Sequence, residues 1–185
     1  MAIFDTPPID QLAIHAYHKA ESQHLIHNPT LTIIDFSRPS NEPRLWIIDM
    51  KKNRIEYIGY VAHGINSGYL YAMYFSQILN SHMSQFGDYI TDKDGYNGSK
   101  GWSLRIHGLD KGWNENIYKR DVVFHPANYV SAAHIKKYGI LGRTWGCFGL
   151  NSRDSSTIIN SIKGGSFVYA YYPNHDWLKS SFYNK

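Results

Sequence analysis

The apolar period of this chain changes once, near residue 28, and that change limits what the chain can build. Up to that point "PPIDQLAIHAYHKAESQHLI" places Ile9, Leu12, Ala13, Ala16, Tyr17 and Ala20 at helical spacing, which predicts one amphipathic helix. Its two prolines fit only at the opening turn. Afterwards the period is that of strands. Residues 31–37, 44–50, 54–64 and 69–76 are short runs rich in β-branched and aromatic side chains. "MKKN" falls between the second and third, so residues 45–61 are expected to form a hairpin. The Gly-rich stretch 91–101 reads as a loop, and residues 102–108 and 120–126 read as strands bearing His107 and His125 near their ends. Ser131 and Gly139 bracket a short helix. A second helix is capped by Ser152 or Asp154 and stopped by Gly164. "SFVYAYY" closes the set as a buried strand. The expected class is therefore mixed and β-rich (α+β), with residues 1–28 as a helical segment packed on a domain of residues 29–185.

Composition excludes several functions. The 19 basic residues outnumber the 15 acidic ones by only four and never cluster, which disfavours nucleic acid as a partner. No run approaches the roughly 18 apolar residues of a membrane span. "MAIFDTPPID" has neither the basic start nor the apolar core of a signal peptide. The paired histidines near the N-terminus lack any accompanying metal motif, and the acidic loop at Asp92 and Asp94 has no acid at the twelfth position, so no metal and no cofactor are expected.

One cysteine, Cys147, stands in "GRTWGCFGLN". A lone thiol is either a small buried apolar group or a nucleophile. Glycines at 142, 146 and 149 allow tight turns and close approach of a substrate. The passage from strands to a helix is a place where backbone N–H groups can converge on an oxyanion. A nucleophilic thiol needs a base, and on residue type alone His125, His107 and His63 all qualify.

Several segments together settle which histidine to prefer. "LTIIDFSRPSNEPRLWIID", "VAHGINSG", "GWSLRIHGLDKGWNEN", "VVFHPANYVS" and "GRTWGCFGL…IINSIKGGSFVYAY" occur in an order that resembles the murein L,D-transpeptidase catalytic domain, in its SWGC-type subgroup, over residues 30–172. The resemblance implies a β-sandwich or barrel with an N-terminal helix and short helices flanking the active-site strands. It implies Cys147 as nucleophile and His125 as base, with the Pro126 carbonyl orienting the imidazole. Trp145, Gly146 and Cys147 would supply oxyanion N–H groups, and Thr144 stands at the motif's serine. Trp145 replaces its more usual histidine, and Phe148 stands where the subgroup has proline. His63, Gly64, Arg105, His107 and Arg143 are expected to line the substrate pocket. The implied activity is attack on the tetrapeptide stem of peptidoglycan, a thioester, and transfer to an amine in a 3–3 cross-link or to water. Alternatives are an L,D-carboxypeptidase or cysteine amidase releasing a lipoprotein or stem fragment, and a non-catalytic wall-binding module. The implied setting is periplasmic or otherwise extracytoplasmic, with the chain acting as a monomer.

Overall fold

The computed structural model describes residues 8–185, so the first proline of the predicted helix, Pro7, lies outside the described residues. Helix α1 spans Ile9–Ser22 and buries Ala13, Ala16, Tyr17 and Ala20. The small alanine face brings it close to the sheet, where Tyr17 meets Phe167 edge-on at 6.3 Å. The helix stops four residues earlier than its periodicity predicts. His24 adopts a left-handed φ of 58°, its N–H donates to the Glu21 carbonyl, and the Leu25 N–H donates to the Ala20 carbonyl. This is a Schellman closure with histidine in the place usually held by glycine.

Ten strands follow. They are β1 Thr30–Asp35, β2 Leu45–Asp49, β3 Arg54–Gly59, β4 Val61–Ala62, β5 Gly87–Thr91, β6 Tyr96–Gly98, β7 Gly101–Gly108, β8 Val123–Ala127, β9 Phe148–Asn151 and β10 Phe167–Tyr171. Their order is β3-β2-β1-β10-β5-β7-β8-β9-β4, with β6 paired to β7. The two ends of that order, β3 and β4, are separated in sequence by Tyr60 alone, so the sheet comes round nearly upon itself. β1 and β10 run parallel, as do β8 and β9, and the remaining pairs are antiparallel. Helices α2 Ala132–Tyr138, α3 Ser155–Ile162 and α4 His175–Ser180 complete the chain. Ser131 caps α2 through the His134 N–H, and Gly139 ends it in the left-handed conformation, as expected. Asp154 stands at the start of α3 but makes no capping bond. Its carboxylate instead accepts the Tyr57 hydroxyl at 3.1 Å.

Three expectations fail. Residues 69–76 form no strand, although their composition suits one. β-Propensity measures fit to a pleated, half-buried surface, and here no neighbouring strand provides one. Tyr69, Met73 and Tyr74 are instead exposed. The loop expected over 91–101 contains β6 and its turn onto β7. Cys147 leads directly into β9 rather than into a helix.

The core includes Leu31, Ile34, Phe124, Phe148, Phe167 and Tyr169, all essentially inaccessible. Phe148 stacks on Phe124 at 4.9 Å and lies against Phe36 and Tyr89. One buried polar cluster pins the C-terminal segment to the sheet. The Asp110 carboxylate accepts the Asp88 N–H at 2.8 Å, the Trp177 indole N–H at 2.9 Å and the Ser181 hydroxyl at 2.6 Å. Ser181 has one proton and gives it to Asp110 along the shorter contact. The same hydroxyl lies 3.2 Å from Asp88 Oδ2, a longer and weaker contact. Burial, then the neighbouring Asp110, pushes the Asp88 carboxyl well above the usual range.

Candidate active site

The parallel ladder of β8 and β9 pairs His125 with Gly149. Extending that register places Cys147 opposite Val123, two residues from His125 and on the same face of the sheet. Cys147 and His125 thus line one cavity of about 340 Å³, with Tyr96, Lys100, Asp121 and Tyr129 among its walls. A larger groove of about 650 Å³ lies along residues 73–86 and contains neither.

The imidazole is fixed in one tautomer. His125 Nδ1 lies 2.9 Å from the Pro126 carbonyl. A carbonyl only accepts, so Nδ1 carries the hydrogen and Nε2 the lone pair. Burial lowers the imidazole's proton affinity, the Pro126 contact opposes this, and Lys100 adds to the lowering. The ring is therefore neutral near pH 7 and able to accept a proton.

The turn that carries Cys147 is closed by its own side chains. Thr144 Oγ1 donates to the Cys147 carbonyl at 2.7 Å and accepts the Gly146 N–H at 3.1 Å. This corrects the expected oxyanion set, because the Gly146 N–H is already committed. Among the described residues no hydrogen bond engages the N–H of Trp145 or Cys147. Gly146 has φ 110°, and a Cβ there would lie 2.6 Å from the Met83 carbonyl oxygen. Only glycine fits that turn without strain. The Trp145 side chain is 72% exposed and stacks on His82 at 4.7 Å, forming part of the cavity rim. Cys147 Sγ sits 3.7 Å from the Asp121 carbonyl oxygen. No hydrogen bond joins it to His125 in this arrangement. Burial raises the thiol's proton affinity, while the Val123 N–H and then Arg120 pull it down and Asp121 raises it.

Four of the five expected pocket residues are placed elsewhere. His63 is fully buried. Its Nδ1 accepts from Arg44 at 2.8 Å and its Nε2 donates to the Gly68 carbonyl at 3.1 Å. Burial, reinforced by the Arg44 charge, lowers its pKa to about 4. Its carbonyl accepts the Thr144 N–H at 2.9 Å, so His63 braces the turn that carries Cys147. Gly64 packs against the Gly146 Cα, and a Cβ on Gly64 would come within 3.1 Å of it. Arg105 is held between the rings of Tyr96 and Tyr118 and pairs with Asp121. His107 bonds Asp92 at 2.9 Å and stacks on Tyr118. Arg143 does line the cavity, with its guanidinium over the Tyr69 ring.

The sequence reading missed Tyr96, Lys100, Asp121 and Tyr129 in the cavity, and Arg120 beneath it. The first two lie in the stretch taken for a plain loop, and β6 is what carries them to the site. Arg120 and Asp121 precede a buried strand as an adjacent charged pair, which was the available signal. Among the described residues no group of three His, Cys, Asp or Glu side chains is arranged to hold a metal ion, and no helix is long and apolar enough to cross a membrane.

Comparison with known proteins bears on the fold and the family. No curated protein sequence matches the chain. Among solved structures, the helical cell shape determining protein Pgp2 from Campylobacter jejuni aligns at 9% identity and TM-score 0.52, covering 86% of this chain and 57% of that one. An L,D-transpeptidase from Mycobacterium smegmatis aligns at 10% identity and TM-score 0.47, covering 78% of this chain and 59% of that one. The chain thus spans less than two thirds of the length of these solved structures. At 9% identity the Pgp2 structure shows likeness of fold alone. The family model for the L,D-transpeptidase catalytic domain matches residues 6–171, nearly the whole chain, and the protein belongs to that family.

Proposed function

We propose that this protein is a cysteine acyltransferase acting on the tetrapeptide stem of peptidoglycan, with Cys147 as nucleophile and His125 as base. The reading rests above all on the cavity that Cys147 and His125 share, in which the Pro126 carbonyl holds the imidazole with Nε2 unprotonated. The thiol turns from the Asp121 carbonyl and gives its proton to His125. Such contacts commonly tighten only when substrate is bound. The thiolate attacks the stem carbonyl on the L-centre side of its bond to D-alanine. The N–H groups of Trp145 and Cys147 receive the oxyanion. The C–N bond breaks, D-alanine leaves as the amine with the proton from His125, and a thioester remains on Cys147. An acceptor amine then attacks, His125 takes its proton, and the S–C bond breaks to give a 3–3 cross-link and restore the thiol. Water in the amine's place gives carboxypeptidation. Lys100 and Arg143 suit the carboxylates of such a stem. The substrate sets the place of action outside the cytoplasmic membrane.

Incubation with purified disaccharide-tetrapeptide, followed by mass spectrometry, tests the proposal. The parent should release D-alanine and form dimer or tripeptide, and Cys147→Ala should do neither. Equal turnover by both proteins would overturn the cysteine mechanism.

A further inference from the structure

Arg120 lies just before β8 and makes four hydrogen bonds, every one to a neutral group. Nη1 donates to the Ser76 carbonyl at 2.7 Å and to Gln85 Oε1 at 2.6 Å. Nη2 donates to Ser81 Oγ and to the Met83 carbonyl, both at 2.9 Å. Its Nε is buried with no partner. The adjacent Asp121 carboxylate is taken by Arg105. Among the described residues Arg120 therefore has no anionic partner, and a partly buried cation without one is costly. Its position is equally specific. A Cβ on Gly146 would lie 3.3 Å from Arg120 Nη2, so the guanidinium packs directly beneath the turn that carries Cys147. The chain has placed an uncompensated positive charge where a negative one must appear during acyl transfer.

We propose that Arg120 is the positioning residue of the nucleophile: its guanidinium, fixed beneath the 144–147 turn, is the standing positive charge against which Cys147 ionises. The four tethers serve this end. They lock the segment 76–85 against the turn and prevent the guanidinium from turning away to solvent, while their neutrality leaves the charge undiminished. The other titratable or charged groups around Cys147 are Asp121, His125, Tyr96, Lys100, Tyr129 and Arg143; of the two cations among them, Lys100 acts on His125 and Arg143 lies over the Tyr69 ring. Asp121 opposes ionisation of the thiol. Burial and the thiolate together hold Tyr129 protonated, and Tyr96 is likewise protonated. Neither can supply the charge. The influence is mutual, because the Cys147 thiolate favours the charged form of Arg120 against the cost of its burial.

The inference rests on Cys147 being the nucleophile, but its test needs no substrate. The rate of Cys147 alkylation by iodoacetamide is measured from pH 5 to 10 in the parent, Arg120→Gln and Arg120→Lys. Arg120→Gln should raise the midpoint by about one pH unit, a roughly tenfold slower reaction at pH 7. Arg120→Lys keeps the charge and should stay near the parent. If both variants shift alike, or neither shifts, Arg120 is only a tether and the proposal is overturned. Should Arg120→Gln fail to fold, Gln85→Glu is the second variant. It keeps the Nη1 bond while neutralising the guanidinium, and it should move the midpoint upward; an unchanged midpoint overturns the proposal. Loss of the charge effect leaves the acyltransfer reading standing. Muropeptide turnover by Cys147→Ala would remove that reading without altering the thiol titration.

Discussion

Asp88 and Asp110 are adjacent buried carboxyls, yet Asp110 collects three donors while burial and its neighbour favour the neutral acid at Asp88. The same conservative change should therefore have unequal effects at the two sites. Asp110→Asn weakens three charge-assisted bonds and turns an amide N–H toward one of the donors. Bonds to a charged partner contribute about 1.5–3 kcal/mol each and neutral ones about 1, so a loss on the order of 3 kcal/mol is expected. Asp88→Asn replaces a neutral donor by another and should cost less than about 1 kcal/mol at pH 5. The two sites also differ in pH dependence. The folded-state pKa of Asp88 is raised, so the folded chain keeps a proton that the unfolded chain releases above about pH 4. The stability contributed by this proton is whole below that value and falls as pH rises, by about 1.4 kcal/mol per pH unit while the folded acid stays protonated. Asp88→Asn lacks this penalty. Relative to the parent it should gain stability as pH rises from 5 to 7. Urea unfolding of the three proteins at pH 5, 6 and 7 measures both effects. Parallel pH dependences for Asp88→Asn and the parent, or equal losses in the two variants, would refute the assignment of the proton to Asp88.

Removing the proposed base, in His125→Ala, should slow muropeptide turnover by about 10²–10⁴-fold, whereas His107→Ala, which loses a surface bond to Asp92 and a stack on Tyr118, should change it far less; the reverse order would exchange their roles. His63 should matter for acid stability. Its folded-state pKa of about 4 lies below the unfolded value, so its contribution is whole above about pH 6.5 and is lost as pH falls toward 4, about 3 kcal/mol in all. Thermal melts of His63→Gln should show a flatter acid limb than the parent, and an equally steep limb would exclude His63 as a source of it.

The elements that could be read from sequence were those whose cause is local. Ser131 and Gly139 bound a helix by chemistry that acts within a few residues, and the alanines of α1 mark its buried face. β5 and β9 were missed because "GDYIT" and "FGLN" are too short and glycine-bearing to signal a strand. They become strands only through β10, β7, β8 and β4, partners far away in sequence. Residues 69–76 show the converse, strand composition with no strand beside it. The positions of Cys147 and His125 followed from motif order, and their common cavity from the β8–β9 ladder. The burial of His63 could not be read, because it depends on Arg44, a charged residue that is itself wholly enclosed. Arg44 is tolerated there because Val61, Arg38 and His63 supply acceptors around the guanidinium.

Strand β10 lies between β1 and β5, so the middle of the sheet is filled by residues 167–171 and pairs Leu31 with Phe167. During synthesis β1 must wait for more than a hundred residues before its inner neighbour exists. Until then its inner edge offers unpaired N–H and C=O groups beside apolar side chains, which is the usual template for wrong pairing. Contacts of such long range also slow folding, because the loop must close before the pairing rewards it. The same order leaves the pairing of β8 with β9, and so the assembly of the cavity shared by Cys147 and His125, to a late stage of chain emergence. A ribosome-bound or C-terminally shortened chain would hold Cys147 without a finished sheet to shelter it, and aggregation is the hazard this topology carries.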